Sequence, residues 1–344
     1  MSFGLDIGSS GVRCLYRTGK SLRGRRAPAC YVTLSDGTAE KLLLQRAFIP
    51  FSACDGSFVV FGDNAIELSR ALKLPLIPVF PEGRLPKEDP VGRQVAVTLI
   101  ESVLPAKGTL TGPAAMVVPS LGESRATRTE DLVRFAARVL MLRGTECIPL
   151  HAGTASILAE LSDREFTGIG LCVGASSTSL SVAIHGQPIV ELSFARGCGS
   201  VDEVFAKSRG RYFFDHEGNR YLDVRSVARW REAAGVDLAS PNGDDQELLR
   251  SLVREWLLAA MSDFVQKLEQ LGVARSARGV SVMTITGGPS RMTGFDVLVA
   301  DTVRRAQLPL KIAEIRTAAA SDYTLARGGL IAAELEQQVA RKAA

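Results

Sequence analysis

Apolar and polar positions along the chain follow two different periods. GLDIG (4–8) and VRCLYR (12–17) read as short strands on either side of a small-residue turn, and so do GLCV (170–173) and SLSVAI (179–184). The pattern predicts two β-hairpins with tight tips, about half the chain apart, which points to two related halves and not to a short-period solenoid. PAAMVVPS (113–120) predicts a buried strand ending at Pro119, and a helix should open at Thr129-Glu130 and stop at Gly144. From Asp245 to Leu271, apolar residues such as Leu249, Val253, Trp256, Met261 and Phe264 recur at helical spacing, predicting one long helix whose stripe is core. GVSVMTITGGPSRMTGF (279–295) predicts a strand, a glycine turn and the start of a helix, a place where helix N-terminal amides meet a ligand. Strands alternating with helices imply an α/β fold.

Composition adds the scale. The 344 residues suit two domains of about 150–170 residues each. Hydrophobic residues make up 46% and charged ones 23%, as in a soluble globular protein. No apolar run approaches the roughly 18–20 residues of a membrane-spanning helix, and MSFGLDIGSSGVR does not read as a secretory signal. The six cysteines form no CxxC pair and there are only three histidines, so neither a zinc site nor a disulfide framework is expected. A reducing cytoplasm is the expected location. A net charge of +4 is too diffuse to argue for nucleic acid, and none is expected as a partner. The basic run Arg13, Arg17, Lys20, Arg23, Arg25 and Arg26 reads as a solvated hairpin edge, with a polyanion or acidic partner as the alternative. Leu72–Phe80 is an apolar, proline-rich stretch that reads as buried packing, with lipid or a partner surface as the alternative.

The hairpin tips carry the candidate chemistry. Glycine and serine let the backbone come close to a ligand, and consecutive backbone N–H groups there form a concavity suited to an anion. Two such tips could grip a phosphate chain from both sides; ordinary glycine-rich turns are the plainer alternative.

With these pieces in order, the chain resembles the actin, heat-shock-chaperone ATPase and sugar-kinase superfamily, and among these the MreB-type bacterial actins. GLDIGSSGV is similar to the first phosphate loop and GLCVGASSTSLSV to the second. HAGTASILAEL and YTLARGGLIAAEL are similar to the two interdomain helices, and ITGGPSRMTGF to the adenosine loop. The resemblance implies two RNase-H-like α/β domains with ATP or ADP and Mg²⁺ in the cleft between them. Domain I would cover 1–148, with a small outer subdomain at about 22–75 and the C-terminal helices 315–344 returning to it. Domain II would cover 149–314, with its outer subdomain at about 203–275. Asp6 would hold the cation through water. Gly8, Ser9 and Ser10 would meet the phosphates from one side, and Gly174, Ala175, Ser176 and Ser177 from the other. Gly287 and Gly288 would pass beneath the nucleotide, and Arg291 would stack on adenine or remain a surface arginine.

Two positions depart from the family pattern. Cys172 stands where the second loop normally begins with an aspartate. His151 is the nearest match to the acidic or amide residue that orients the attacking water; it would act either as a base or as a helix cap. The resemblance therefore implies an actin-like ATP-binding protein that self-assembles into filaments, with a weak ATPase activity at most. The alternative is a non-polymerising adaptor resembling the PilM-type pilus-assembly proteins. A membrane or an adaptor protein are the further candidate partners.

Overall fold

The computed structural model describes residues 1–343 apart from 87, 107–111, 119–125, 216, 234, 274–276, 278, 320 and 321. The predicted strand end at Pro119 and the side chains of Thr129 and Glu130 lie outside the described residues.

The first hairpin forms as the pattern predicts. Strands β1 (Phe3–Gly8) and β2 (Gly11–Thr18) pair antiparallel with Gly8 opposite Gly11, leaving Ser9 and Ser10 as the turn. The chain then turns back as β3 (Ser21–Pro28), the exposed edge on which the basic run lies. A separate four-stranded sheet follows, built from β4 (Cys30–Ser35), β5 (Ser52–Cys54), β6 (Ser57–Phe61) and β7 (Ile77–Pro78) in the order β5-β6-β4-β7. Helices α1 (Thr38–Arg46) and α2 (Asp63–Leu72) accompany it, and Val32, Leu44, Phe58, Val60 and Leu68 give it a core of its own. The outer subdomain thus spans 30–78. The expected start at 22 is corrected, because residues 21–28 belong to the main sheet. Leu74 and Leu76 pack against that small core, and Val79 and Phe80 are fully buried, so most of the 72–80 stretch is packing.

Helix α3 (Pro90–Val103) is capped by Asp89, whose Oδ1 accepts from Gly92 N at 2.8 Å. Strand β8 (Ala114–Val118), α4 (Ala126–Met141) and β9 (Cys147–His151) complete the first sheet in the order β3-β2-β1-β8-β9. His151 still pairs with Val118 in that sheet, so the first half ends at 151 and not at 148.

The second half repeats the plan. After α5 (Ala152–Glu160) come β10 (Gly168–Val173), β11 (Thr178–Ile184) and β12 (Gln187–Phe194). Helix α6 (Cys198–Ser208), the small hairpin of β13 (Tyr212–Phe214) and β14 (Arg220–Leu222), α7 (Val224–Arg231) and the long α8 (Asp244–Gln270) follow. Strand β15 (Val282–Gly287), α9 (Phe295–Arg305), β16 (Glu314–Thr317) and α10 (Thr324–Ala343) close the chain. The second sheet runs β12-β11-β10-β15-β16, the same sequence of three antiparallel and two parallel strands as the first. Residues 314–317 therefore belong to the second sheet; only α10, packed on β1 and β8, returns to the first half.

Among the described residues, the expected outer subdomain at 203–275 has no separate core. Phe205 of α6, Val227 of α7 and Val253, Leu257 and Phe264 of α8 share one cluster with Leu171, Leu180 and Met283 of the sheet. On α8 the buried stripe is narrower than the apolar one, and Leu271 is half exposed.

Candidate functional site

The two hairpins and the end of β15 converge on one cleft of ≈ 710 Å³. Gly8, Ser9 and Ser10 line it from the first half; Gly174, Ala175, Ser176 and Ser177 line it from the second, with Gly287, Gly288 and Arg291 at the β15 turn. Asp6 and Cys172 lie behind the tips on the equivalent strands. Of the residues singled out from sequence, only His151 is not among those lining the cleft.

Local constraints fix this geometry. At the second tip Gly174 N donates to Ser177 O at 2.9 Å. The first amides of α6 are satisfied by the same tip: Cys198 N donates to Gly174 O at 2.9 Å and Gly199 N to Ala175 O at 2.8 Å. A Cβ at Gly197 would lie 2.5 Å from the Gly174 and Ala175 carbonyl oxygens, so this seat requires glycine. Gly287 is held at φ +107, and a Cβ on it would fall 1.9 Å from Val173 O. Gly288 is different: a Cβ there would meet only Glu232 Oε1, at 3.8 Å, and otherwise faces open cleft.

The hairpin registers set the electrostatics. Asp6 lies directly opposite Arg13, and Cys172 opposite Ser179. Arg13 Nη1 donates to Asp6 Oδ2 at 3.2 Å and to Gly11 O at 3.3 Å. Burial pushes the Asp6 carboxyl above its ordinary range, with Arg13 pulling it part of the way back. Burial also pushes the Cys172 thiol up to about 12, reinforced by Asp6 nearby, so it is an uncharged group at neutral pH.

His151 is corrected from candidate base to structural cap. Its side chain accepts from Gly153 N at 3.2 Å at the start of α5, and its two ring nitrogens contact Ser181 Oγ at 2.7 Å and Ser193 Oγ at 2.9 Å. Burial lowers its pKa to about 4. Both nitrogens are thus committed to strands β11 and β12, away from the cleft.

Several cleft residues escaped the sequence reading. Arg13 and Arg26 come from the basic run: Arg26 and Arg291 both pair with Asp322, so one carboxylate joins β3 of the first half to the β15 turn of the second. Beside the β15 turn, Arg231 of α7 forms a two-point pair with Asp202 of α6 at 2.7 and 3.0 Å, both buried, and its Nη1 lies 3.2 Å from Glu232 Oε1. Arg225, one turn from Ala228, also lines the cleft. A signal for these existed in α7, where Arg225, Ala228 and Arg231-Glu232 recur at helical spacing.

The cleft has amides and arginines for an anion, and Gly288 gives it an open floor. It does not fit a resident Mg²⁺ ion in the expected way. Asp6 is already paired with Arg13, and a thiol stands where the second carboxylate is expected.

Comparison with solved structures identifies the fold. The MamK double helical filament aligns at a TM-score of 0.66 and 17% identity, covering 97% of this chain and 98% of that one. MreB5 of Spiroplasma citri bound to AMPPNP aligns at 0.64 and 14% identity, covering 100% and 98%. The ethanolamine utilization protein EutJ from Carboxydothermus hydrogenoformans aligns at 0.50 and 13%, covering 96% and 89%. At such identities the likeness establishes the fold alone, an actin-like arrangement of two α/β domains. A search of curated protein sequences finds no match. The sequence profile of the Volactin family, in contrast, matches residues 1–333, and with nearly the whole chain so covered, this protein belongs to the Volactin family.

Proposed function

We propose that the protein binds ATP or ADP in the cleft and assembles with copies of itself into filaments, hydrolysing ATP slowly or not at all. The observation that carries this reading is the pair of small-residue tips facing one cleft, with Gly288 as an open floor. The tip amides suit a phosphate chain, and the wall of Gly288, Glu232 and Arg225 suits a nucleoside, Glu232 offering acceptor oxygens to hydroxyl groups. MreB5 of the same fold was solved with AMPPNP and with ADP, which supports nucleotide as the ligand. MamK, solved as a double helical filament, supports self-assembly. Slow hydrolysis is supported by the uncharged Cys172 and by the commitment of His151 to β11 and β12, which leave neither group to orient a water. The six free cysteines support a reducing, cytoplasmic location.

The same two substitutions favour the adaptor as second reading, since a docking scaffold has no use for a water-orienting group. Sedimentation of the purified chain with and without ATP separates the two. Nucleotide-dependent pelleting is expected; a strictly soluble monomer at high concentration overturns self-assembly and moves the adaptor to first place.

A further inference from the structure

The two halves of the molecule carry equivalent hairpins, but their cleft-facing cross-strand pairs differ in charge. In the first the pair is Asp6 and Arg13; in the second it is Cys172 and Ser179, both uncharged. The phosphate-side wall therefore holds one carboxylate together with its own counter-ion. Arg13 meets both Asp6 and the Gly11 carbonyl through Nη1, and among the described residues no acceptor meets its Nε or Nη2. Its side chain is partly exposed and lines the cleft beside the Ser9-Ser10 tip. Of the other cleft guanidiniums, Arg26 and Arg291 pair with Asp322 and Arg231 with Asp202, while Arg225 sits on α7 beside Ala228. A divalent ion brought to Asp6 would share the carboxylate with a guanidinium already on Oδ2, and would lie next to that like charge. A guanidinium, by contrast, is suited to phosphate oxygens without any metal, through several N–H donors in one plane.

We propose that Arg13 supplies the positive charge a divalent metal would otherwise bring, so that the cleft binds the nucleotide polyphosphate as the metal-free anion. The inference rests on the nucleotide reading above and adds to it a statement about the form of ligand bound.

The test is calorimetric titration of the full chain with ATP, once in excess Mg²⁺ and once in excess EDTA. The two affinities are expected to agree within about threefold. Binding in Mg²⁺ that weakens by more than about tenfold in EDTA overturns this inference and leaves the nucleotide reading standing. No binding in either condition overturns both. Arg13→Gln is expected to weaken metal-free binding by about tenfold or more, with Mg²⁺ restoring part of the loss because Asp6 is released. An Arg13→Gln chain that folds, by its melting curve, and binds metal-free ATP as tightly as the parent also overturns the inference. Should that variant not fold, Arg13→Lys keeps the charge and is expected to retain metal-free binding; loss of binding in EDTA with recovery in Mg²⁺ would again count against Arg13 as the cation.

Discussion

Gly287 and Gly288 are neighbours with opposite tasks. Gly287 is structural, because a side chain there has no room against Val173 O and the backbone is left-handed. Gly288→Trp should therefore leave the melting temperature nearly unchanged while abolishing ATP binding, and Gly287→Ala should cost at least about 2 kcal/mol of stability. Unchanged ATP affinity in Gly288→Trp would remove the cleft floor from the nucleotide site. That two glycines end the strand was legible in the sequence; which one could accept a side chain was not, because the answer depends on a strand far away in the chain. Cys172→Asp places a carboxylate opposite Ser179, and steady-state phosphate release should rise above a wild-type rate expected to be well under ~10 s⁻¹. A wild-type rate near that figure would show that another group orients the water. His151 gives a pH prediction. Burial lowers its pKa from 6.5 to about 4, so as pH falls the unfolded chain takes up the proton first. Its contribution is complete above about 6.5 and declines between 6.5 and 4, by on the order of 3 kcal/mol. Urea midpoints at about pH 5 and pH 7 should differ less in His151→Asn, which keeps a capping side chain but does not titrate. Equal slopes in both proteins would mean that other groups set the dependence.

Among the elements, α5 and α10 cross at backbone contact. A Cβ on Gly328 would lie 1.9 Å from Ala155 O, and one on Gly4 would lie 1.9 Å from Ala326 O, so α10 lacks a side chain where it meets α5 and β1 lacks one where it meets α10. Gly328→Ala would gain about 1 kcal/mol from helix propensity alone; a net loss of about 1–3 kcal/mol is expected instead, from overpacking. A thermal melt decides the sign. Local signals made the hairpins, the long α8 and the glycine turn legible, since each is written in a few consecutive residues. The equivalence of the two sheets was also legible, through the repeated tips. The outer subdomains were harder. Residues 22–28 look like surface, being exposed and basic, yet they form the edge strand of the main sheet. The apolar residues of 203–275 cannot reveal in sequence whether they pack with each other or, as they do, with the sheet. Strand β16 is short and only half-buried, and β-pairing in parallel with β15 is a long-range property that its four residues do not encode.

For the whole molecule, filaments of the proposed kind should show a subunit repeat of about 50 Å, the length of two stacked ~150-residue domains, because a heterologous contact that does not close propagates. With hydrolysis impaired they should persist once formed. Electron microscopy of the pure protein with ATP measures the repeat, and dilution measures the persistence; rapid disassembly after dilution would contradict slow turnover. The carboxylate of Asp322, shared by Arg26 and Arg291, ties the two halves together at the rim of the cleft, on side chains that are 62% and 49% exposed for the arginines. Charges so close to water lose much of their attraction as the Debye length contracts from about 10 Å at 0.1 M salt to about 3 Å at 1 M. Parting of the two lobes to release the proposed nucleotide would break this tie. The nucleotide's residence time then becomes a gauge of the surrounding electrolyte: release should quicken as salt is added, and Asp322→Asn should flatten that response.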